Sequence, residues 1–381
     1  MKKFIYVIIF FSFFDLFTQL PVMSTYAESL GASAFLTGLA VGMYSLSNTF
    51  GNIISGFLTD RKGPFVILII GLLTTGLSLL LYNVVEDPTT LLFVRFVHGL
   101  VAGFIVPAAF TFLANATEQE KRGKGSAISG AFVGIAAIIG PAFSGILASR
   151  TSVPFVFNIT ASFMLLLGIL AFFILKSNQI KKERSTPSTY IPISVFFNNP
   201  GTLKAFSGAF FLMFSQGVIA YLLPLKVQSL GFDSRLSGTL MSTFGIIAVL
   251  VFILPTNRIF DKVAPIKTLS LGIGLMGLSQ LLISQADSST LLYIAMTCYG
   301  IGFGFLFPSV NSLLIDSTTT DIRGKAYGYF YAFFSLGVVL GSSLLGWLSL
   351  GIVSGFIFTG IVLLIFASGL LIPHKRPSHA K

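Results

Sequence analysis

The stretch that decides the fold is Gly56-Phe57-Leu58-Thr59-Asp60-Arg61-Lys62-Gly63-Pro64. Three consecutive charges stand between two long apolar segments, bracketed by glycines and closed by a proline. Charge at this density does not sit in hydrocarbon, and proline does not continue a helix. The stretch reads as a tight, water-facing hairpin between two membrane spans, with Asp60 beginning the turn. Composition agrees. The chain of 381 residues is 54% hydrophobic and only 10% charged, with 41 phenylalanines, whereas a soluble domain carries about a quarter charged residues. An all-α polytopic membrane protein is expected.

A spanning helix needs roughly 20 mostly apolar residues. Segments of that kind lie at 4–26, 33–58, 64–83, 90–114, 125–149, 153–175, 203–225, 235–257, 264–285, 289–314, 326–349 and 352–372, which predicts 12 transmembrane helices. The apolar run behind Lys2 and Lys3 continues for about twenty residues without a small-residue cleavage pattern, so a retained first helix is expected rather than a signal peptide. Joins are short except at 176–202, where Lys181, Lys182, Glu183 and Arg184 precede Pro187, Pro192 and Pro200. This polar linker divides an N-terminal six-helix bundle (1–175) from a C-terminal one (203–381) with a short tail.

The basic residues set the orientation. With the N-terminus inside, all of the 24 Lys and Arg fall on the cytoplasmic side except Arg95, Arg150, Lys226 and Arg235. Both termini are therefore expected in the cytoplasm, and the net charge of +11 is a topology signal rather than a nucleic-acid footprint. The lone Cys298 excludes a disulfide within the chain and a Cys-based metal site. No cofactor, no metal and no partner chain is expected, so the protein reads as a monomer in the lipid bilayer.

The two halves repeat at a shift of 200–201 positions. Gly99, Gly103, Phe104 and Pro107 align with Gly300, Gly304, Phe305 and Pro308. Arg122-Gly123-Lys124 aligns with Arg323-Gly324-Lys325, Ser29-Leu30-Gly31 with Ser229-Leu230-Gly231, Gly140 and Gly145 with Gly341 and Gly346, and Asp60-Arg61 with Asp261-Lys262. Six helices per half is an even number, so both halves enter from one side, and the repeat is parallel about an axis along the membrane normal.

Two parallel six-helix halves joined by a basic linker resemble the major facilitator superfamily. The opening hairpin resembles that family's loop motif G-x-L-[AT]-D-R-x-G-[RK]-[RK]: Gly56, Leu58, Thr59, Asp60, Arg61 and Gly63 match, while Pro64 and Phe65 replace the final basic pair. Arg95, Gly99 and Gly103 resemble the R-x-x-x-G-x-x-x-[AG] pattern of the fourth helix. Gly134, Gly140, Pro141 and Gly145 resemble the G-P motif of the drug:proton antiporter branch, with Ser144 where a second glycine is usual. The resemblance implies that Gly56, Asp60, Arg61 and Gly63, with Asp261 in the second half, latch the halves in the outward-facing state. It also implies that the fifth helix seals and flexes during alternating access.

Charge inside a bilayer is costly, so intramembrane ionisable groups are functional candidates by default. Asp15 lies near the middle of the first segment, with Gln19 four residues on and hence on the same face. It is either protonated or paired across the bundle. Arg95 is its intramembrane charged candidate partner, and His98, three residues after Arg95, shares that face and titrates near neutral pH when unperturbed. Asp15, Arg95 and His98 are the candidates for proton coupling. Tyr44, Asn48 and Asn52 form one polar stripe that suits cavity lining and interhelical hydrogen bonding equally. Gln216, Tyr221, Asn311, Tyr327 and Tyr331 are second-half cavity candidates.

The leading reading is secondary active, proton-coupled export of a small organic molecule across the plasma membrane. The alternative is a transporter for one polar or anionic metabolite, such as a sugar, an organic acid or a metal-chelating metabolite. No His/Glu metal spacing, Cys–His pair or Walker-type loop is present, so an enzyme or an ATP-driven pump is not expected.

Overall fold

The computed structural model describes residues 2–115, 122–176, 194–254, 262–319 and 322–371. Those residues are helical, with no strand among them. The helices are α1 (Lys2–Gln19), α2 (Met23–Ser29), α3 (Ala34–Lys62), α4 (Pro64–Leu80), α5 (Pro88–Ala102), α6 (Ile105–Asn115), α7 (Arg122–Arg150), α8 (Val153–Lys176), α9 (Ser194–Phe197), α10 (Pro200–Ser229), α11 (Ser234–Ile253), α12 (Pro265–Gln285), α13 (Ser289–Asp316), α14 (Arg323–Trp347) and α15 (Ile352–Leu370).

Among the described residues, ten stretches are long and apolar enough to cross a membrane, and α1 with α2 makes an eleventh as one broken span. The expected second span is α3. It is long enough at 29 residues, but Tyr44, Ser45, Ser47, Asn48, Thr49 and Asn52 dilute its apolar character.

Three expectations about boundaries are corrected. The first span is broken, with α1 and α2 bent by 46°, because Pro21 has no N–H to continue the helical ladder. The fourth span parts at Gly103–Phe104 into α5 and α6, ahead of Pro107, which likewise has no N–H to donate. The Asp60-Arg61-Lys62 run is not a loop: α3 continues through Lys62, and Gly63 alone turns the chain before Pro64 starts α4. Basic residues in a last helical turn complement the negative end of the helix dipole, which is why Arg61 and Lys62 extend the helix rather than stop it.

The repeat is visible in detail. The Gly31 N–H bonds Glu28 O at 2.9 Å and the Ala32 N–H bonds Ala27 O at 3.1 Å; Gly231 to Gln228 and Phe232 to Val227 repeat the pattern at 2.9 and 3.1 Å. Both are Schellman endings closed by a glycine at φ 83°. Phe10, Phe11 and Phe14 form a ring triad whose centroid distances and plane angles recur in Phe210, Phe211 and Phe214.

By contacts the chain forms two compact units: Met1–Tyr190 with Gln216–Gly245 and Val338–Ile352, and Ile191–Ser215 with Ile246–Gly337 and Val353–Lys381. In the first, α1 packs on α7, α3 on α5 and α4 on α8; in the second, α12 packs on α13.

Candidate functional site

The site is built by the seating of α5 on α3. Gly99 and Gly103 permit it. A Cβ on Gly99 would strike the Tyr44 carbonyl oxygen and Ser47 Oγ, and one on Gly103 would strike the Asn48 carbonyl oxygen. At this approach the Arg95 guanidinium reaches back along α3, with Nε donating to Ala40 O at 2.8 Å and Nη2 to Val41 O at 3.1 Å. Nη1 donates to Gln19 Oε1 of α1, and the guanidinium carbon stands 5.2 Å from the Tyr44 ring centroid.

One turn further along α5, His98 faces Asp15. His98 Nε2 lies 3.1 Å from Asp15 Oδ2, and the Tyr82 hydroxyl lies 3.2 Å from His98 Nδ1. Tyr44 donates to Asp15 Oδ2 at 3.4 Å, and Gln19 Nε2 donates to Asp15 Oδ1 at 3.4 Å and to the Asp15 carbonyl at 2.9 Å. Asp15, His98 and Arg95 are 1%, 0% and 2% exposed, so each relies on these partners alone. A carboxylate that is ionised only accepts; against such a carboxylate Nε2 would be the protonated imidazole nitrogen, with Nδ1 left to accept from Tyr82.

Arg95, the candidate charged partner of Asp15, does not meet it directly; the ion-pair geometry of Asp15 is with His98. Arg95 and His98 share a helix face, but His98 is the one level with Asp15, and Arg95 reaches the carboxylate through Gln19. Gln19 accepts from the cation with its oxygen and donates to the anion with its nitrogen. With a neutral imidazole the cluster carries no net charge; one added proton makes it +1.

The other predicted residues divide. Gln19 and Tyr44 belong to this buried cluster. Asn48 donates to Gly99 O at 3.2 Å and accepts from Asn52 at 2.9 Å, so the polar stripe staples α3 to α5. Tyr221 donates to Ala34 O at 3.2 Å, and Gln216 is buried. In the second unit Tyr327 donates to Asn311 Oδ1 at 2.5 Å and stacks on Tyr331, which is 58% exposed. Gly140 faces Phe17 of α1, Gly145 faces Gly238 of α11, Pro141 lies inside α7, and Gly134 is half-buried there. Gly56 and Gly63 flank the end of α3. Asp261 and the Asp60 side chain lie outside the described residues.

Sequence reasoning missed Tyr82, which stands in a 3₁₀ turn, Leu81–Val84, at the end of a span. It also missed a neutral counterpart. The repeat maps Asp15 to Ser215 and His98 to Tyr299, and there Gln280 Nε2 donates to Ser215 Oγ at 2.7 Å. At these equivalent positions the carboxylate and imidazole of the first half are replaced by a hydroxyl and a phenol.

The family model described as Major Facilitator Superfamily matches residues 5–225 and 205–381. The chain belongs to the major facilitator superfamily. Among the superfamily's curated proteins it is 29% identical over 332 residues to the multi-drug resistance efflux pump PmrA of Streptococcus pneumoniae, covering 84% of this chain and 82% of that one. It is 24% identical over 363 residues to an uncharacterised MFS-type transporter of Methanocaldococcus jannaschii, covering 90% and 89%. Its fold is that of a bacterial homologue of the human lysosomal transporter Spinster, with TM-score 0.79 at 14% identity, covering 97% and 95%. The superfamily member described here is thus a multi-pass membrane transporter and not an enzyme.

Proposed function

We propose that this transporter exports small amphipathic organic molecules in exchange for protons, by alternating access, from a plasma membrane in which both termini face the cytoplasm. The observation that carries the reading is the buried Asp15–His98 pair, balanced through Gln19 by Arg95. A site whose net charge changes by one at almost zero exposure is strongly sensitive to its surroundings. Two conformations that hydrate it differently bind the proton with different affinity, which is the physical content of coupling. PmrA, named a multidrug efflux pump, supports the direction and the breadth of substrate. Tyr327 and Tyr331 are the aromatic surface we assign to substrate, and Asp60 and Arg61 with Asp261 the latch. Arg95 does not favour the anion-specific alternative, because three of its nitrogens already donate within the cluster.

The test uses everted vesicles with an acidic lumen and three probes: ethidium, a neutral dye and an anionic dye. Wild-type protein takes up ethidium until the pH gradient is collapsed. Asp15→Asn, present in the membrane at equal amount, loses at least about tenfold of the gradient-driven flux. Undiminished flux in Asp15→Asn sinks the coupling assignment, and movement of the anionic dye alone sinks the substrate class.

A further inference from the structure

The proton site contains a residue whose work is orientation. Tyr82 is fully buried. Its ring packs 4.4 Å from Phe157 and stands edge-on to the His98 ring at 5.8 Å. The short turn that carries it is pinned to α8 by a reciprocal amide pair, Asn83 donating to Asn158 at 2.6 Å and Asn158 to Asn83 at 3.0 Å. The hydroxyl thus has a fixed place beside the imidazole. Its hydrogen-bond partner among the described residues is His98 Nδ1 at 3.2 Å, while the Arg95 guanidinium donates to Ala40 O, Val41 O and Gln19 Oε1. A buried O–H needs an acceptor. Nδ1 is the one in reach, so the Tyr82 proton points at Nδ1, which makes Nδ1 an acceptor and places the imidazole proton on Nε2, toward Asp15.

We propose that Tyr82 is a positioning residue of the proton site: held against His98 by the turn pinned to α8, its hydroxyl fixes His98 as the neutral Nε2–H tautomer, so that the coupling proton is taken by Asp15. The proposal rests on the proton-coupled reading above for the word coupling, and on geometry alone for the tautomer. The titratable and charged groups around the pair are Asp15 from α1, Tyr26 from α2, Tyr44 from α3, Tyr82 and, from α5, Arg95; α8 contributes the Phe157 ring. An imidazolium would carry hydrogen on Nδ1, pointing at the proton that Tyr82 donates. Tyr82 would have to turn its O–H away, in a fully buried site, from the acceptor it has there. Protonation of Asp15 on Oδ1 needs no such reversal at His98: Oδ2 still accepts from Nε2–H and Tyr82 still donates to Nδ1, at the cost of the 3.4 Å bond that Gln19 Nε2 gives Oδ1.

The experiment is ¹⁵N spectroscopy of the full chain, labelled at histidine, in lipid nanodiscs. The sequence has 3 histidines, and His374→Gln with His379→Gln leaves His98 alone. The expected spectrum shows Nδ1 unprotonated and Nε2 protonated between about pH 5 and 8. Tyr82→Phe keeps the ring and removes the hydroxyl; its Nδ1 resonance shifts away from the hydrogen-bonded position, and a second species, the Nδ1–H tautomer or the imidazolium, appears. A wild-type His98 that carries its proton on Nδ1, or that becomes imidazolium within that range, overturns the proposal without any variant. So does a Tyr82→Phe spectrum identical to wild type. Loss of gradient-driven flux in Asp15→Asn is scored separately, so a failure of coupling and a failure of Tyr82 positioning are told apart.

Discussion

Gly63 stands at φ 83° and ψ 155° between α3 and α4, backbone space that is essentially glycine-only. No neighbour crowds a Cβ there, so the requirement is conformational. Gly63→Ala is expected to lower stability by about 1–3 kcal/mol, read as a lower thermal midpoint in detergent, whereas Gly56→Ala, in regular helix with open space around it, leaves the midpoint unchanged or higher. Asp87 makes a pH-dependent contribution at the start of α5. Its side chain accepts from the Thr90 hydroxyl and from the Thr90 and Thr89 N–H groups at 3.0 and 2.8 Å, and these bonds, the Thr90 hydroxyl first, hold the carboxyl below its ordinary range. A depressed carboxyl stabilises the fold above its unfolded titration point, and the contribution disappears as pH falls through the lower, folded value. The midpoint difference between wild type and Asp87→Ala is therefore expected in full at neutral pH, to begin shrinking near the ordinary carboxyl value of about pH 4, and to vanish once the pH has fallen past the lower, folded value. A difference that persists in acid assigns the effect to something other than the ionised cap.

At the scale of elements, the α3–α5 contact decides how the polar cluster assembles. Gly99→Ala places a methyl against the Tyr44 carbonyl and Ser47, forcing the helices apart; overpacking of this kind costs about 1–3 kcal/mol. The separation also withdraws Arg95 from Ala40 and Val41, so the variant is expected to lose stability and gradient-driven flux together. Arg95→Lys, which leaves both glycines in place, is expected to retain the packing and lose flux alone, because an ammonium does not reproduce the guanidinium fork. The same contact explains what was legible in the sequence. Span positions, the parallel repeat and the G-x-x-x-G spacing of Gly99 and Gly103 follow from hydropathy and steric size, which act locally. The identity of Asp15's partner does not. Arg95 and His98 share a face at i and i+3, and which of them is level with Asp15 depends on the axial slide of α5 against α1, a quantity set by contacts between remote segments. Tyr82 was illegible for a related reason: at the end of a span, tyrosine is the ordinary interfacial residue, and only the turn pinned by Asn83 and Asn158 aims it inward. α3 continues through Asp60, Arg61 and Lys62 because exclusion of charge from hydrocarbon does not end a helix; the positive-φ Gly63 and Pro64 end the segment.

At the scale of the molecule, the repeat generates two equivalent seams within the first compact unit. On α3, a Cβ at Gly38 would strike the Ser342 carbonyl of α14, and Gly346 stands equally close to the Ala34 carbonyl. On α11, Gly238 stands against the Pro141 carbonyl of α7, and Gly145 against the Ser234 carbonyl. The 200–201 shift carries Gly38 to Gly238, Pro141 to Ser342 and Gly145 to Gly346, so the two seams are one design used twice, and the G-P motif of the fifth span supplies half of one of them. Small residues let helix backbones meet without side chains between them, which makes each seam strong when closed and simple to separate. In the orientation proposed above, with both termini in the cytoplasm, both lie toward the outside. If they close and open as one barrier, damage to one must register at the other. Gly238→Leu tests this. The added side chain meets the Pro141 carbonyl and the Gly145 Cα within the α7–α11 seam, and a strain of about 1–3 kcal/mol is enough to move a two-state equilibrium by roughly 5–150-fold. The reporter sits in the other seam: Ser342, buried at 0% exposure, replaced by cysteine in a Cys298→Ser background that has no other thiol. A membrane-impermeant maleimide added to intact cells is expected to leave Ser342→Cys unlabelled in the parent and to label it when Gly238→Leu is present. Continued protection of Ser342→Cys in a folded, membrane-inserted Gly238→Leu protein means that the α3–α14 seam holds by itself, and that the repeat has given this transporter two independent seals in place of a single gate.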